Sequence, residues 1–382
     1  MARRLIAHFD LDAFFVSVEC LLQPALQGIP LVVGGDSDRS VVAACSYEAR
    51  KFGIHSAMPM KKAKSLCPGL TIIPGTRNAY SHYSRLVTEI IAADAPVFEK
   101  ASIDEFYIDL TGMDRFFQPF EWTIALRQKI INKTGLPISF GMGTNKMIAK
   151  IATDAVKPNG YLFVQPGEEN QFLDPMQASK IPGVGEQTFR QLLQLGIETI
   201  YELRTANPEL LRKYLGKWGT ELWQKANGIH NGVVAPYQEA KSVSTENTFE
   251  QDQRDLEFLM AELTRMTERI GYELRQDNQM AGCVTVKIRY PDFETTSRQA
   301  SIPYTFYDDE LLTQARLLFG QLYRKGEPVR LLGVRASELT GDALQTHLFE
   351  DRNRKSDLYR AIDDVKNKFG KSAIQKAGGR KS

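Results

Sequence analysis

Cysteine is scarce in this chain, and the four residues present are scattered. Cys20, Cys45, Cys67 and Cys283 contain no CxxC pair. That spacing excludes a zinc ribbon or a small disulfide scaffold and suits a reducing compartment, so the expected location is the cytoplasm. Long apolar runs are also missing, with no stretch near the ~20 apolar residues a membrane span requires. Arg3 and Arg4 start the chain like a signal peptide, but His8, Asp10, Asp12 and Glu19 interrupt the apolar run. The segment therefore reads as a strand feeding a helix. Nor is there a surplus of one charge: Lys+Arg 48 against Asp+Glu 46 leaves +2. Such a balance neither demands nor excludes nucleic acid, because the distribution of charge over the surface decides that. Internal repeats and low-complexity tracts are absent.

What is present is apolar material for several cores. The chain has 382 residues, 43% of them hydrophobic, and single cores rarely grow past ~250–300 residues. The front half reads as mixed α/β. Residues 4–11 form a short strand ending in acid, after which Phe14, Val18, Leu21 and Leu22 take helical spacing. Residues 96–111 read as a hairpin, since Phe106, Ile108 and Leu110 alternate with Tyr107, Asp109 and Thr111. A helix over 119–133, a strand over 137–142 and a helix over 144–156 follow. Short helices occupy 181–231, and 232–240, poor in large apolar side chains, reads as a linker. Beyond it come strand 242–249, helix 253–277, strands 281–290 and 295–303, helix 308–325 and strand 329–337. This β-α-β-β-α-β order predicts a separate two-layer domain. Residues 356–370 predict an amphipathic helix with Leu358, Ile362, Val365 and Phe369 on its apolar face.

Two acidic groups stand out. Asp10 and Asp12 share a face of the first strand. Asp104 and Glu105 sit at the predicted hairpin tip, where neighbours point to opposite faces unless the turn rotates them together. Clustered carboxylates repel, and hard divalent cations relieve that cost. Two such ions can clamp the attacking and leaving oxygens of an in-line displacement. On spacing alone, turn aspartates and a solvated tip explain the same residues. On the phosphate side, Tyr47 and Arg50 are three apart on one helix face, an uncharged donor beside a planar fork. Lys157 ends a helix before Pro158, a position that the helix dipole favours with or without a substrate.

The strings FDLDAFFVSVE (9–19), SYEARKFGI (46–54), SIDEFYIDLT (102–111), SFGMGTNKMIAKIATDAVKPNG (139–160) and IPGVG (181–185) occur in this order. Together they closely resemble the Y-family DNA polymerases, specifically the DinB, or DNA polymerase IV, branch, over nearly the whole chain. The resemblance implies a multidomain α/β (α+β) right-hand polymerase. Its palm would be 1–14 and 77–165, its small fingers 15–76, its helical thumb 166–231 with a helix-hairpin-helix, and its linker 232–240. A little finger over 241–340 and a tail over 341–382 would complete it. It further implies low-fidelity, lesion-bypassing, template-directed DNA synthesis from dNTPs, without proofreading, by a monomer using two Mg²⁺ or Mn²⁺. Asp10, Asp104 and Glu105, with the Leu11 carbonyl, would ligate the metals. Asp12 would be structural. Tyr47, Arg50 and Lys157 would hold the triphosphate, and Phe14 and Phe15 would face the nucleotide, Phe15 as the steric gate against a 2′-hydroxyl. Gly34, Gly35, Ala43, Ala44 and Ala57 would form a thin roof over the nascent pair. Ala44 departs from the hydroxyl residue many relatives carry there.

Primer-template DNA would meet the backbone at Gly183 and Gly185, and the little-finger sheet through Lys287, Arg289, Arg298, Arg330 and Arg335. Asp252, Asp255, Glu257, Glu262 and Glu268 on the helices opposite would balance the charge. Gln345, Leu348 and Phe349 resemble the Gln-x-x-Leu-Phe peptide by which bacterial polymerases bind the sliding clamp, and the basic stretch from Arg352 to Lys381 would touch DNA or be solvated. The competing readings are a nucleotidyl cyclase, a two-metal nuclease, and a non-catalytic family member that binds DNA or the clamp.

Overall fold

The computed structural model describes residues 4–115, 118–236, 240–341, 352–371 and 373–379. The chain divides into two units, Met1–Gln238 and Glu239–Ser382.

In the first unit the elements run β1 (Ile6–Leu11), α1 (Phe14–Leu22), β2 (Leu31–Gly34), β3 (Val42–Cys45), α2 (Tyr47–Arg50), α3 (Met60–Leu66), β4 (Thr71–Ile73) and α4 (Arg77–Asp94). Next come β5 (Phe98–Lys100), β6 (Glu105–Asp109), α5 (Pro119–Thr134), β7 (Ile138–Gly143), α6 (Lys146–Val156) and β8 (Tyr161–Phe163). The short helices α7 (Glu169–Leu173), α8 (Glu186–Gln194), α9 (Ile200–Thr205), α10 (Pro208–Leu215) and α11 (Lys217–Ala226) complete the unit. The main sheet has the order β5-β6-β1-β7-β8, and a small sheet has the order β3-β2-β4.

The central strand β1 is buried along its whole length, and its alternation gives the two faces different work. Ala7, Phe9 and Leu11 join the main core with Val87 and Ile91 of α4 and Leu126 and Ile130 of α5. On the other face lie Ile6, which packs with Ala149 of α6, then His8 and Asp10. Helix α6 reaches the sheet because β7 carries glycine where it crosses. A Cβ on Gly141 would lie 2.3 Å from the Ala149 carbonyl oxygen, and one on Gly143 2.5 Å from Ile148 Cγ2. Asn145 caps α6, its side chain accepting from the Met147 and Ile148 amides.

Helix α4 is absent from the sequence reading. Its buried stripe of Tyr80, Ser84, Val87, Ile90 and Ile91 contains a serine and starts on a tyrosine, which breaks the apolar period. The segment 232–240 is also corrected in part: Val234 is buried, the Ala235 amide donates to Glu99 Oε2 at 2.9 Å, and Arg4 donates to the Gly232 carbonyl. Its first residues are therefore a strap fastened to this unit.

The second unit runs β9 (Ser242–Gln253), α12 (Leu256–Gln276), β10 (Met280–Arg289), β11 (Thr295–Thr305), α13 (Asp308–Leu322), β12 (Val329–Thr340) and α14 (Arg352–Phe369). Its sheet order is β11-β10-β12-β9. Leu259, Leu263, Ile270 and Leu274 of α12 pack on Val284, Val286 and Ile288 of β10. Helix α14 contradicts its sequence reading. Leu358 and Phe369 are 58% and 67% exposed, whereas Tyr359, Asp363 and Lys366 are buried. Asp363 accepts from Arg275 of α12 at 2.7 Å, Lys355 pairs with Glu310 of α13 at 2.8 Å, and Tyr359 donates to Asp309 at 2.8 Å. Ion pairs seat this helix, so its apolar periodicity points the wrong way. Asp252 lies on β9 rather than a helix, and Glu262 and Glu268 are buried in α12. Among the described residues, no helix is long and apolar enough to cross a membrane.

Candidate active site

Antiparallel pairing places Asp10 directly opposite Glu105 of β6 on one side and Ser139 of β7 on the other. Directly opposed residues share a face, so these two carboxylates are neighbours by register. Asp104 reaches the same place through the turn before β6. Ser102 Oγ accepts from the amides of Asp104 and Glu105 at 3.2 and 3.0 Å and donates to Asp104 Oδ1 at 2.6 Å. The Leu11 amide donates to the Asp104 carbonyl at 3.1 Å. This serine-centred turn supplies the rotation that adjacent acids need to serve one site.

Helix α6 lays a matching row along the acids. Lys150 Nζ pairs with Glu105 Oε1 at 2.6 Å, Thr153 Oγ1 is 2.9 Å from His8 Nδ1, and Lys157 Nζ pairs with Asp10 Oδ2 at 2.6 Å. Residues three to seven apart share one helix face, which suits this alignment. The lysines do not neutralise the group. Burial pushes Asp10 up to about 7 although Lys157 opposes it, and Glu105 and Asp104 push it further. His8, with Lys150, holds the Glu105 carboxyl well below the usual carboxylate range against its burial. Burial also lowers the His8 pKa. The imidazole Nε2 stands 3.7 Å from Glu105 Oε2 and, among the described residues, has no hydrogen-bond partner. Among the described residues, His8, Asp10 and Glu105 offer ligand atoms within 4.8 Å of one another. Two carboxylates with one held above its ordinary pKa, beside a third acid, fit a hard divalent cation.

Asp12 is spent elsewhere. It accepts from Ser139 Oγ at 2.8 Å, the Asn159 amide at 2.8 Å and the Tyr47 hydroxyl at 3.3 Å. The chain turns sharply after it, with non-glycine Ala13 at φ 44, a left-handed conformation costing about 1 kcal/mol or more. The strand ends at Leu11, so the shared face expected for Asp10 and Asp12 does not form.

Asp10, Leu11 and Asp104 line one open cleft together with Tyr47, Arg50, Lys157, Phe14 and Phe15. Arg50 stacks on the Tyr47 ring at 4.4 Å. Burial and Asp12 push the Tyr47 hydroxyl well above its usual pKa, so it remains a neutral donor. The small residues lining the cleft are Ala13, Ala43 and Ala44, with Ser56. Gly34 and Gly35 serve packing instead: a Cβ on Gly34 would lie 2.7 Å from the Val41 carbonyl oxygen and one on Gly35 2.5 Å from Ser40 Oγ. Ala57 is not in the lining either. His8, Lys150 and Ser102 were missed in the sequence. Only the register of β1 against α6, or the turn geometry, exposes them.

Gly183 has φ +97, and a Cβ there would lie 2.9 Å from Trp218; Gly185 caps α8. In the second unit, Lys287, Arg289 and Arg335 share the sheet face away from the helices, Arg335 lying opposite Thr285. Arg298 is opposite Val286, a core residue, so its side chain belongs to the helix side and does not join that face. Lys287 pairs with Glu246, and Arg330 lies over Phe293 at 4.5 Å. Gln345, Leu348 and Phe349 lie outside the described residues.

Three family models match the chain: the impB/mucB/samB family at residues 9–154, the C-terminal domain of that family at 240–348, and the DNA polymerase-iota thumb domain at 179–230. The chain is 39% identical over 379 residues to a DNA polymerase IV of Dehalococcoides mccartyi, covering 98% of this chain and 97% of the relative. It is 36% identical to a DNA polymerase IV of Desulfatibacillum aliphaticivorans, with 99% and 97% covered. A solved Y-family DNA polymerase chimera, Dbh-Dpo4(243-245)-Dbh, superposes with a TM-score of 0.78 at 28% identity, over 87% of this chain and 98% of that one.

Proposed function

The chain belongs to the Y-family DNA polymerases, in the DNA polymerase IV branch, and from that membership we propose how its residues divide the work. The protein is a template-directed, translesion DNA polymerase that uses DNA and dNTPs and depends on divalent metal. Asp10, Asp104 and Glu105, with the Leu11 carbonyl, hold two Mg²⁺ (or Mn²⁺) in this reading. When bound, these cations lower the pKa of the primer 3′-hydroxyl and neutralise departing pyrophosphate. The observation that carries this assignment is the register: Asp10 opposite Glu105, with Asp104 in the same cleft as Tyr47, Arg50 and Lys157.

The protein's own residues do the positioning. Arg50, pre-oriented by its stack on Tyr47, presents a planar fork to the β- and γ-phosphates. Tyr47 adds a neutral hydroxyl, and Lys157 exchanges its Asp10 partner for phosphate oxygen. Phe15 walls off a 2′-hydroxyl, and Phe14, only 3% exposed, backs the wall from the core. Asp12 fixes the strand end by holding Ser139, Tyr47 and Asn159. Positioning and electrostatics supply most of the catalysis in such transfers.

By domain, the main sheet with α4–α6 is the palm, α1–α3 and the small sheet the fingers, α7–α11 the thumb, and β9–β12 with α12–α13 the little finger. Gly183 and Gly185 approach a DNA phosphate, while Arg289, Arg335, Lys287 and Arg330 track the duplex backbone. Gln345, Leu348 and Phe349 engage the sliding clamp, and the enzyme works as a cytoplasmic monomer. Primer extension with Mg²⁺ and each dNTP or rNTP tests the assignment. Wild type extends with dNTPs and poorly with rNTPs, and Glu105→Ala loses extension while remaining folded. Undiminished extension by Glu105→Ala overturns the metal assignment, and primer shortening by wild type would point to a nuclease.

A further inference from the structure

Phe15 has a backing that the catalytic assignment leaves unused. Its ring stacks on that of Tyr80, with centroids 4.3 Å apart and planes 20° from parallel. Tyr80 stands near the start of α4 and is 4% exposed. Its hydroxyl donates to Oε1 of Glu19 at 2.5 Å. Glu19 is four residues after Phe15 on α1, one turn along, and is 2% exposed. The same carboxylate accepts from the Thr76 amide at 2.8 Å and the Thr76 hydroxyl at 3.3 Å. Thr76 occupies the N-cap position of α4 without a side-chain cap bond, so this negative charge meets the positive end of an 18-residue helix. Even the residue before the cap is fitted to the contact: a Cβ on Gly75 would lie 2.9 Å from the Tyr80 hydroxyl.

A buried carboxylate is costly unless its hydrogen bonds are made. Glu19 makes three within the described residues. An apolar side chain could fill the same space, but it could not fix the rotation of Tyr80 through a hydrogen bond. We infer that Glu19 is a positioning residue for sugar discrimination: it pins Tyr80, and Tyr80 prevents the Phe15 ring from receding before a 2′-hydroxyl. The inference rests on Phe15 being the gate. With Glu19 gone, the Tyr80 hydroxyl loses its acceptor and keeps the longer contact from the Thr76 amide at 3.1 Å; the ring can then tilt, Phe15 can follow it, and the added oxygen finds room. Deoxynucleotides need no such room, so their use changes little.

The test is single-nucleotide incorporation on a template-primer duplex, with kcat and KM measured separately for matched dNTP and rNTP. Glu19→Ala raises the rNTP/dNTP ratio of kcat/KM about tenfold, the effect of about one buried hydrogen bond, while dNTP kcat stays within about twofold. Glu19→Gln keeps an acceptor for Thr76 and a partner for Tyr80, and restores the wild-type ratio. Tyr80→Phe keeps the ring but loses the anchor, and reproduces Glu19→Ala even should the latter fold poorly. Phe15→Ala raises the ratio by itself, and adding Glu19→Ala to it raises it no further. The inference is overturned if Glu19→Ala and Tyr80→Phe lower dNTP and rNTP use in parallel, or if the Glu19 and Phe15 effects multiply. A Phe15→Ala variant that leaves the ratio unchanged overturns the gate itself, a failure distinct from that of Glu19.

Discussion

Replacing Asp10 with asparagine removes a carboxyl group that folding pushes from 3.8 up to about 7. A carboxylate raised in this way contributes stability below its unfolded pKa, and that contribution is lost as pH rises towards the folded value. At about pH 5 the unfolded chain has ionised Asp10 while the folded protein still holds the proton; by about pH 8 both have released it. The two pH units between about pH 5 and the folded value of about 7, at about 1.4 kcal/mol each, give about 3 kcal/mol lost by the wild type over that range. Asparagine has no proton to lose. The stability of Asp10→Asn relative to wild type therefore rises by about 3 kcal/mol between about pH 5 and pH 8 in chelator. The Lys157 ion pair forms only as Asp10 ionises, so its loss is already contained in the folded value, and Lys157 keeps Asp154 at 3.3 Å. Saturating Mg²⁺ with dNTP narrows the gap by stabilising the wild type more than the variant. Urea unfolding followed by tryptophan fluorescence reads the right unit, since Trp122, Trp218 and Trp223 are the chain's three tryptophans and all precede Gln238. A stability difference that stays flat across that pH range would mean that Asp10 is ionised in the folded protein already at about pH 5.

Two further outcomes follow from the cleft and the sheet. Arg50→Ala raises the dNTP KM by about tenfold to a hundredfold, the loss of a charge-assisted pair, and leaves the affinity for primer-template unchanged; steady-state kinetics beside a DNA-binding titration separates the two. Arg289→Ala and Arg335→Ala each reduce the slope of log affinity against log salt by about one, whereas Arg298→Ala leaves it unchanged. Equal effects of all three would mean that the register-defined face is not the DNA face.

Much of this architecture is legible in the sequence because the informative elements are long or strictly alternating. The second unit's β-α-β-β-α-β order emerges from apolar runs such as Val284, Val286 and Ile288, and β6 from Phe106 and Ile108. The three-residue strands β4 and β8 are too short for a period, and α4 hides behind Ser84 and Tyr80 in its buried stripe. Helix α14 misled for a different reason: tertiary ion pairs at Arg275 and Lys355 outweighed an apolar stripe. At the site, the three acids and the three phosphate candidates could be named from motif and resemblance, and they line or adjoin one cleft. What the sequence withheld was everything set by cross-strand register and helix crossing. Those features include His8 beneath Glu105, Lys150 beside it, the serine-centred turn at Ser102, and the Glu19–Tyr80 tie behind Phe15. Arg298 shows the same limit in reverse, since one residue of register decides its side of the sheet.

The pairing of Asp10 with Glu105 as metal ligands is tested by the stoichiometry of Mn²⁺ bound in the presence of dNTP and primer-template lacking a 3′-hydroxyl, measured by electron paramagnetic resonance. Two ions per wild-type chain are expected, with the loss of at least one in Asp10→Asn and in Glu105→Gln and each variant still folded. Full retention of both ions by these variants would contradict that pairing, and would move the metal site away from the carboxylates that β1 and β6 bring together.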